Sequence, residues 1–397
     1  MPLIELWEAQ RDTVEKFTIQ QVVSFSGDGT LKDGSECSRE LQEYFSRIPS
    51  EKLNEYADQC LAKSFDKSGL VLQDLVNELG RRLDFIVENG RYSGTRGEIG
   101  NDGLWLAPEG NHIVAEVKTT DAYRMSMDTI SGYRDRMIEA DIITENSSIL
   151  VVVGREDTGE LEAQVRGSRH AWDIRLISVE ALAKLVSLKE NSDEEETTQK
   201  IRSILRPVEY TRVDSLVDVV FTTASDIDSE IEEPPSEESD TQKRSIIVTD
   251  RNLLNEKRSA VISAMSAKLD CALLKRTRAM YWSADRKSRV ACTIFKRYEN
   301  GPGYWYAFHP SWQKFLEDGA NSYFVLGCMG RDDAFAIPLN ELLPHLRFLN
   351  VTQNEKEMYW HIHLEEDDAG NMYLLIPRQN NVLLSKYSLP EQKGNNS

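Results

Sequence analysis

The stretch Gly100-Asn-Asp-Gly-Leu-Trp-Leu-Ala-Pro-Glu-Gly-Asn-His-Ile-Val-Ala-Glu-Val-Lys118 decides the reading of this chain, because it sets three charged groups into an otherwise apolar hairpin. Leu104 to Ala107 and His112 to Val117 have the apolar density of two adjacent strands, and Pro108, Glu109, Gly110 and Asn111 supply turn residues between them. Side chains alternate faces along a strand, so Glu116 and Lys118 point the same way, about 7 Å apart, with Ala115 and Val117 packed behind them. Asp102 opens the first strand. An Asp followed by Glu-x-Lys also arises by chance, and an exposed Glu116–Lys118 pair would contribute less than about 1 kcal/mol. Context argues for more. The run Ile113 to Lys118 is nearly continuous in apolar residues, and Ile130, Tyr133 and Met137 follow at helical spacing, the order of a sheet covered by helices. Charges in such a strand are costly unless they are used.

Phosphodiester hydrolysis uses this set of groups. Mg²⁺ prefers hard oxygen ligands and is commonly held by one or two carboxylates, here Asp102 and Glu116, with Mn²⁺ as a substitute. A nearby ammonium, here Lys118, orients the attacking water or stabilises charge growing on the phosphorus oxygens.

Upstream, Leu72, Leu75, Val76, Leu79, Leu83 and Ile86 recur at helical spacing, and Asn89-Gly90 reads as the helix stop. Glu78 borders that stripe. With this helix in place, residues 66 to 188 resemble the PD-(D/E)XK nuclease superfamily, the restriction-endonuclease-like fold. The resemblance implies that Asp102 and Glu116 hold the metal and Lys118 assists the water. It also implies an added metal contact from an acid on the first helix, which falls on Glu78. Asn101 stands where the family often has proline. The approach Tyr92 to Gly100 is rich in glycine and serine, as suits a backbone passing close to a phosphate, and Glu98 within it is an alternative ligand.

At 397 residues the chain suits two domains with a connector, and 40% apolar residues suffice for real cores. No apolar run is long enough to span a membrane, and Met1 to Glu8 lacks the character of a signal peptide, so a soluble, cytoplasmic protein is expected. Cys37, Cys60, Cys271, Cys292 and Cys328 show no C-x-x-C spacing and read as buried free thiols. A net charge of −19 runs against phosphate binding, but its distribution is uneven. Between Asp226 and Asp240 lie eight acidic and no basic residues, interleaved with serine and proline, the composition of a solvated linker. Residues 243 to 297 then carry fourteen Lys or Arg against four Asp or Glu, a plausible nucleic-acid footprint.

The chain divides into an N-terminal extension (1–65) that covers the sheet or makes a dimer contact, a nuclease-like domain (66–222), an acidic linker (223–244) and a C-terminal module (245–397). Ser148 to Gly154 and Ile174 to Ser178 read as buried strands, and Ser178 caps a helix through Leu188. Arg166, Arg169 and His170 read as a loop able to meet a phosphate backbone. Residues 197 to 222 have helical character and are expected to pack on the first domain, with a break at Pro207.

The C-terminal module opens with a helix through Leu254, Val261, Met265, Leu269 and Leu273. Strands follow at Val290–Phe295, Tyr304–Phe308, Tyr323–Leu326, Ala334–Ile337, His361–Leu364 and Met372–Ile376. The aromatic strand Tyr304 to Phe308, with Trp282, Arg286, Lys287, Arg289, Lys296 and Arg297 near it, offers base stacking on a basic surface, against the commoner role of a core strand. His361 and His363 share a strand face as metal ligands or, more simply, as a packed pair.

No P-loop, G-x-G-x-x-G, G-x-S-x-G or H-E-x-x-H occurs, which removes the ATPase, dinucleotide, serine-hydrolase and zincin classes. The fold expected is α/β: a restriction-endonuclease-like three-layer core, a mixed sheet flanked by helices, plus a C-terminal α+β, strand-rich module. The expected function is a Mg²⁺-dependent endonuclease, DNA being the favoured substrate, in microbial restriction or anti-phage defence. It would act as a homodimer, with a C-terminal module that recognises DNA or a partner protein and without a membrane. The competing expectation is a non-cleaving interaction protein built on the same fold.

Overall fold

The computed structural model describes residues 2–63, 65–93, 100–119, 126–154, 159–192, 195–207, 251–295, 303–353 and 358–390. The chain separates into two units, Met1–Asp228 and Ser229–Ser397. Among the described residues, no helix is long and apolar enough to cross a membrane. The sequence's acidic run and Glu98 lie outside the described residues.

Among the described residues of the first unit six helices precede the sheet: α1 (Leu3–Ala9), α2 (Arg11–Val14), α3 (Ile19–Phe25), α4 (Glu36–Arg47), α5 (Ser50–Ala62) and α6 (Ser68–Arg82). Strands β1 (Ile86–Asn89), β2 (Gly103–Leu106), β3 (His112–Lys118), β4 (Ser147–Val153) and β5 (Ile174–Ser178) form one sheet in chain order. The first three pair antiparallel, and β3, β4 and β5 run parallel. Parallel neighbours need a crossover. Helices α7 (Met127–Glu139) and α8 (Gly159–Gly167) supply the two, and α9 (Val179–Glu190) and α10 (Glu195–Ile204) follow β5. Ser178 caps α9, its hydroxyl accepting the Ala181 N–H at 3.1 Å.

Strand alternation sorts this sheet into a layered structure. Trp105, Ile113, Ala115, Val117, Leu150 and Val152 face one core, shared with α1, α3 to α6, α9 and α10. Leu104, Val114, Ile149, Val151 and Val153 face the other, with Met127, Ile130 and Met137 of α7 and Leu161 and Val165 of α8. The result is a mixed sheet with helices on both faces, the α/β class expected.

Two expectations are corrected here. Helix α6 ends at Arg82, because Asp84 turns into the left-handed region (φ 65°) and Phe85 drops into the core. Ile86 to Asn89 is an edge strand, whose exposed first residue happens to fall at helical spacing from Leu83. Gly90 is therefore no helix stop: a Cβ there would lie 2.0 Å from the Asn101 carbonyl oxygen, so glycine permits the close approach of β1 to the start of β2. Residues 1–65 cover the sheet, one of the two roles expected of them, since α1 to α5 share one core with α6, α9 and the sheet's Trp105, Ile113 and Leu150. Arg82 ties them in, donating to the carbonyls of Phe45 at 3.2 Å, Ser46 at 3.4 Å and Ile48 at 2.9 Å at the end of α4. Finally, Arg166 is not in a loop but in the last turn of α8.

Among the described residues the second unit begins with α11 (Arg251–Leu269), which stops short of Leu273, expected on the helix, because Asp270 turns into the left-handed region (φ 49°) and Leu273 starts a strand. Strands β6 (Leu273–Lys275), β7 (Met280–Ser283), β8 (Ser288–Phe295), β10 (Asn321–Cys328), β11 (Asp333–Pro338) and β16 (Ser388–Pro390) form a six-stranded sheet. A second sheet holds β9 (Gly303–Phe308), β12 (Val351–Gln353), β13 (Met358–Glu366), β14 (Met372–Leu375) and β15 (Val382–Leu383). Ala291, Phe324, Leu326 and Phe335 of the first sheet join Tyr306, Phe308, Ile362 and Leu374 of the second in one core, and α11 covers the first sheet's other face. The aromatic strand β9 is core on both faces, Tyr304, Trp305, Tyr306 and Phe308 all being buried. It offers no ring to a base. Cys37, Cys60, Cys292 and Cys328 are buried and Cys271 is half-buried, all five as thiols rather than disulfides.

Candidate active site

The pairing of Gly103 with Ala115 places Asp102 directly across from Glu116, on the face that Leu104 and Val114 continue into the α7–α8 core. The Asp102 N–H donates to the Ala115 carbonyl at 3.0 Å, and one Asp102 carboxylate oxygen accepts the Val117 N–H at 2.6 Å. Lys118, two residues beyond Glu116 on the same face, reaches back to its carboxylate with Nζ–Oε1 at 2.5 Å. Asp102, Glu116 and Lys118 are thus brought together, as strand alternation predicts.

Helix α6 fixes the backbone of this site. It is buried on almost every side, so each polar residue on it needs a partner within the protein. Gln73 and Asn77, one turn apart, donate to the Asp102 carbonyl at 3.1 and 2.8 Å, and the Gly90 N–H donates to the same oxygen at 3.1 Å. The other end of the Asn77 amide accepts the Trp105 indole N–H at 2.8 Å. A Cβ on Gly103 would lie 2.0 Å from that amide oxygen, which is why the strand carries glycine beside the aspartate. None of these supports stood out in the sequence.

Glu78 does not join the two carboxylates. It lies a step further around α6 than Asn77, and Arg82 at 2.9 Å and Arg81 at 3.4 Å hold its two oxygens. Among the described residues no three His, Cys, Asp or Glu side chains gather closely enough to hold a metal ion, so any cation here would rest on Asp102 and Glu116 with oxygens from substrate and water.

The electrostatics follow from burial. Asp102 is pushed up to about 6, first by desolvation and then by the Glu116 charge, against the relief given by the Val117 N–H and Lys118. Desolvation alone would lower Lys118, but Glu116 and Asp102 outweigh it and leave the ammonium raised, hence charged at neutral pH. Tyr133 also bears on Lys118, and its hydroxyl oxygen would be 3.8 Å from a Cβ on Gly100. Sequence reasoning placed Tyr133 only in an apolar stripe, although it was the one position there with a polar tip.

The other candidates lie apart from this group. Arg169 and His170 both bind Asp128 in the first turn of α7, at 3.0 and 2.8 Å, and Arg166 lies 3.7 Å from Glu162 one turn earlier on α8. In the second unit Trp282 has the guanidiniums of Arg276 and Arg286 over its ring at 4.9 and 4.8 Å. Arg289 is taken by Asp318 and the Phe315 carbonyl, while Lys287 stays exposed. His361 accepts the Trp305 indole N–H on Nδ1 at 3.2 Å and meets the Thr352 hydroxyl through Nε2 at 2.7 Å. With both nitrogens engaged and the His363 ring stacked 6.2 Å away, it is a packed residue and not a free ligand. No protein-family model matches the chain, and no curated protein matches it in sequence.

Proposed function

We propose that this protein is a divalent-metal-dependent endonuclease of the restriction-endonuclease-like class, acting on DNA. The observation that carries the reading is the cross-strand pair Asp102 and Glu116 with Lys118 on the same face of β3. The order of elements supports it: a buried helix, an antiparallel three-strand meander, a helical crossover and a parallel strand. Two carboxylates, one of them raised by burial and then by the charge of the other, are a fit host for a cation, which would remove their repulsion. Asp102 and Glu116 would hold Mg²⁺ or Mn²⁺. Bound there, the ion would supply Lewis acidity toward a phosphoryl oxygen and acidify a water.

The chain's own residues do the rest. Gln73, Asn77 and the Gly90 N–H fix the Asp102 backbone, so its carboxylate needs little reorganisation. Lys118 supplies a positive charge beside the carboxylates to orient the attacking water and stabilise the charge that gathers as the P–O bond forms. One site per chain cuts one strand, so a double-strand break needs a homodimer or two successive events.

The test is supercoiled plasmid with Mg²⁺ or Mn²⁺, comparing the protein with Lys118→Ala. Nicking or linearisation is expected, reduced on the order of a hundredfold or more in the variant. Equal products from both would reject the Glu-x-Lys strand as the site.

A second reading, a non-cleaving platform that binds nucleic acid or a partner protein, draws on the net charge of −19 and on the Glu116–Lys118 pair closing on itself. Melting separates the two. Mg²⁺ raises the melting temperature of a metal-binding protein, and Asp102→Ala abolishes the rise. No rise in the wild type favours the platform.

A further inference from the structure

Helix α7 lies across the face of the sheet that carries Asp102, Glu116 and Lys118, with Ile130 and Met137 in the core of that face. Tyr133 stands three residues after Ile130 and four before Met137, so it points to the same side. It stays half-buried. The hydroxyl end of its ring rests against Gly100, two residues before Asp102: a Cβ there would lie 3.6 Å from its Cζ and 3.8 Å from its hydroxyl oxygen. The same hydroxyl acts on the Lys118 ammonium. A phenol therefore borders the group of charges from the helix side.

Two observations point to an anion at this place. The Tyr133 hydroxyl makes no hydrogen bond among the described residues, although a tyrosine that is partly covered usually finds a partner. Arg136, one turn further along α7, is exposed and holds its guanidinium 5.1 Å from the centre of the Tyr133 ring. Its Nε donates to the Gly132 carbonyl at 3.1 Å, and among the described residues no carboxylate pairs with it. Other arginines nearby are placed differently: Arg134 bonds Ser147 at 3.0 Å and lies 3.8 Å from Asp173, and Arg169 is held by Asp128. A guanidinium held against an aromatic ring keeps its in-plane donors for another partner, and a phosphate takes them two at a time. In a chain with 66 acidic residues against 47 Lys and Arg, an arginine without a carboxylate, one phenol away from a second cation, is a place kept for an outside anion. The negative end of α7 accounts for an arginine in its last turn, but not for a phenol turned toward Lys118.

We infer that Tyr133 and Arg136 form a subsite for the phosphodiester backbone of the bound DNA strand, next to the bond that Lys118 serves. The phenol donates to a non-bridging oxygen of one phosphate, and the guanidinium takes a neighbouring phosphate. Contacts of this kind fix the register of a strand and read no base. The inference rests on the reading of Asp102, Glu116 and Lys118 given above, and it adds the path of the strand past that group, along α7.

The test is fluorescence anisotropy of the full chain with two labelled DNA duplexes of unrelated sequence, in EDTA and in Ca²⁺, beside nicking of supercoiled plasmid in Mg²⁺. Both duplexes are expected to bind. Arg136→Ala should weaken both about tenfold and reduce the slope of log Kd against log salt by about one, with Arg136→Lys restoring part of the affinity. Tyr133→Phe should weaken both about threefold or more, the size of one lost hydrogen bond to a charged group. Arg134→Ala, on the same helix but already paired, should bind as the wild type does, and circular dichroism confirms that each variant is folded. The inference is overturned if the Arg136 and Tyr133 variants bind unchanged, if their losses are confined to one sequence, or if the wild type binds neither duplex at up to about 100 μM. Weakened binding in the variants with no nicking by the wild type would keep the subsite and reject the cleavage, whereas nicking by the wild type with unchanged binding in the variants would do the reverse.

Discussion

At the residue scale the site holds its carboxylates under tension that depends on pH. Asp102 sits at about 6 in the folded protein, and Asp74, buried on α6 beside Tyr92 and Gln42, is pushed up to about 7, mainly by desolvation. Both lie well above the value near 4 of an unfolded chain. Their contribution to stability is therefore fully present below about pH 4 and is lost as pH rises through about 6 to 7. For Asp102 alone that loss is on the order of 3 kcal/mol. Asp102→Asn keeps an acceptor for the Val117 N–H while removing the charge. In EDTA it is expected to melt above the wild type at pH 8, with the gap narrowing as pH falls and closing only below about pH 4; equal melting at pH 8 would show that neither the burial of the Asp102 charge nor its repulsion by Glu116 is felt. The placement of Asp102, Glu116 and Lys118 on one face was legible because a strand has a period of two. Glu78 misled because α6 is buried almost all round, and there a polar residue's role depends on which partner reaches it. Arg81 and Arg82, three and four residues on, were the signal that went unread.

At the element scale, the α6–β2 contact is the joint that sets the site. Asn77 spans it, touching both the Asp102 carbonyl and the Trp105 indole. Gly103→Ala would drive a methyl group into the Asn77 amide and leave the buried indole N–H unpaired. It should cost about 2–4 kcal/mol in urea unfolding and depress cleavage with it. Because both changes act on one contact, Gly103→Ala combined with Asn77→Ala should cost less than the sum of the two. Strict additivity would locate the damage elsewhere. Elements with long periodic runs or a cap, such as β4, α7 and α9, were legible from sequence. The edge strand β1 was not, since only alternate residues are partly covered and Leu83 and Ile86 mimic a helix. Helix α8 was missed because its short polar run buries little more than Leu161 and Val165.

At the scale of the whole molecule, each core among the described residues draws its members from one unit: two lie within the first and three within the second. Residues 1–207 and 251–390, expressed separately, should therefore each unfold cooperatively, with metal-dependent nicking remaining in the first. A fragment lacking near-ultraviolet circular dichroism would show that its core is incomplete alone. The division into two units was foreshadowed by the shift from acidic to basic composition. Which of their two expected roles residues 1–65 take was not, because their partners lie far along the chain. Ser50, at the start of α5, bonds Glu190, the last residue of α9, across 140 positions. This separation bears on synthesis. At about 5–20 residues per second, the first helices leave the ribosome roughly 7–30 s before α9 exists to cover them. During that interval their apolar faces are open to chaperones, and slower translation would lengthen the exposure.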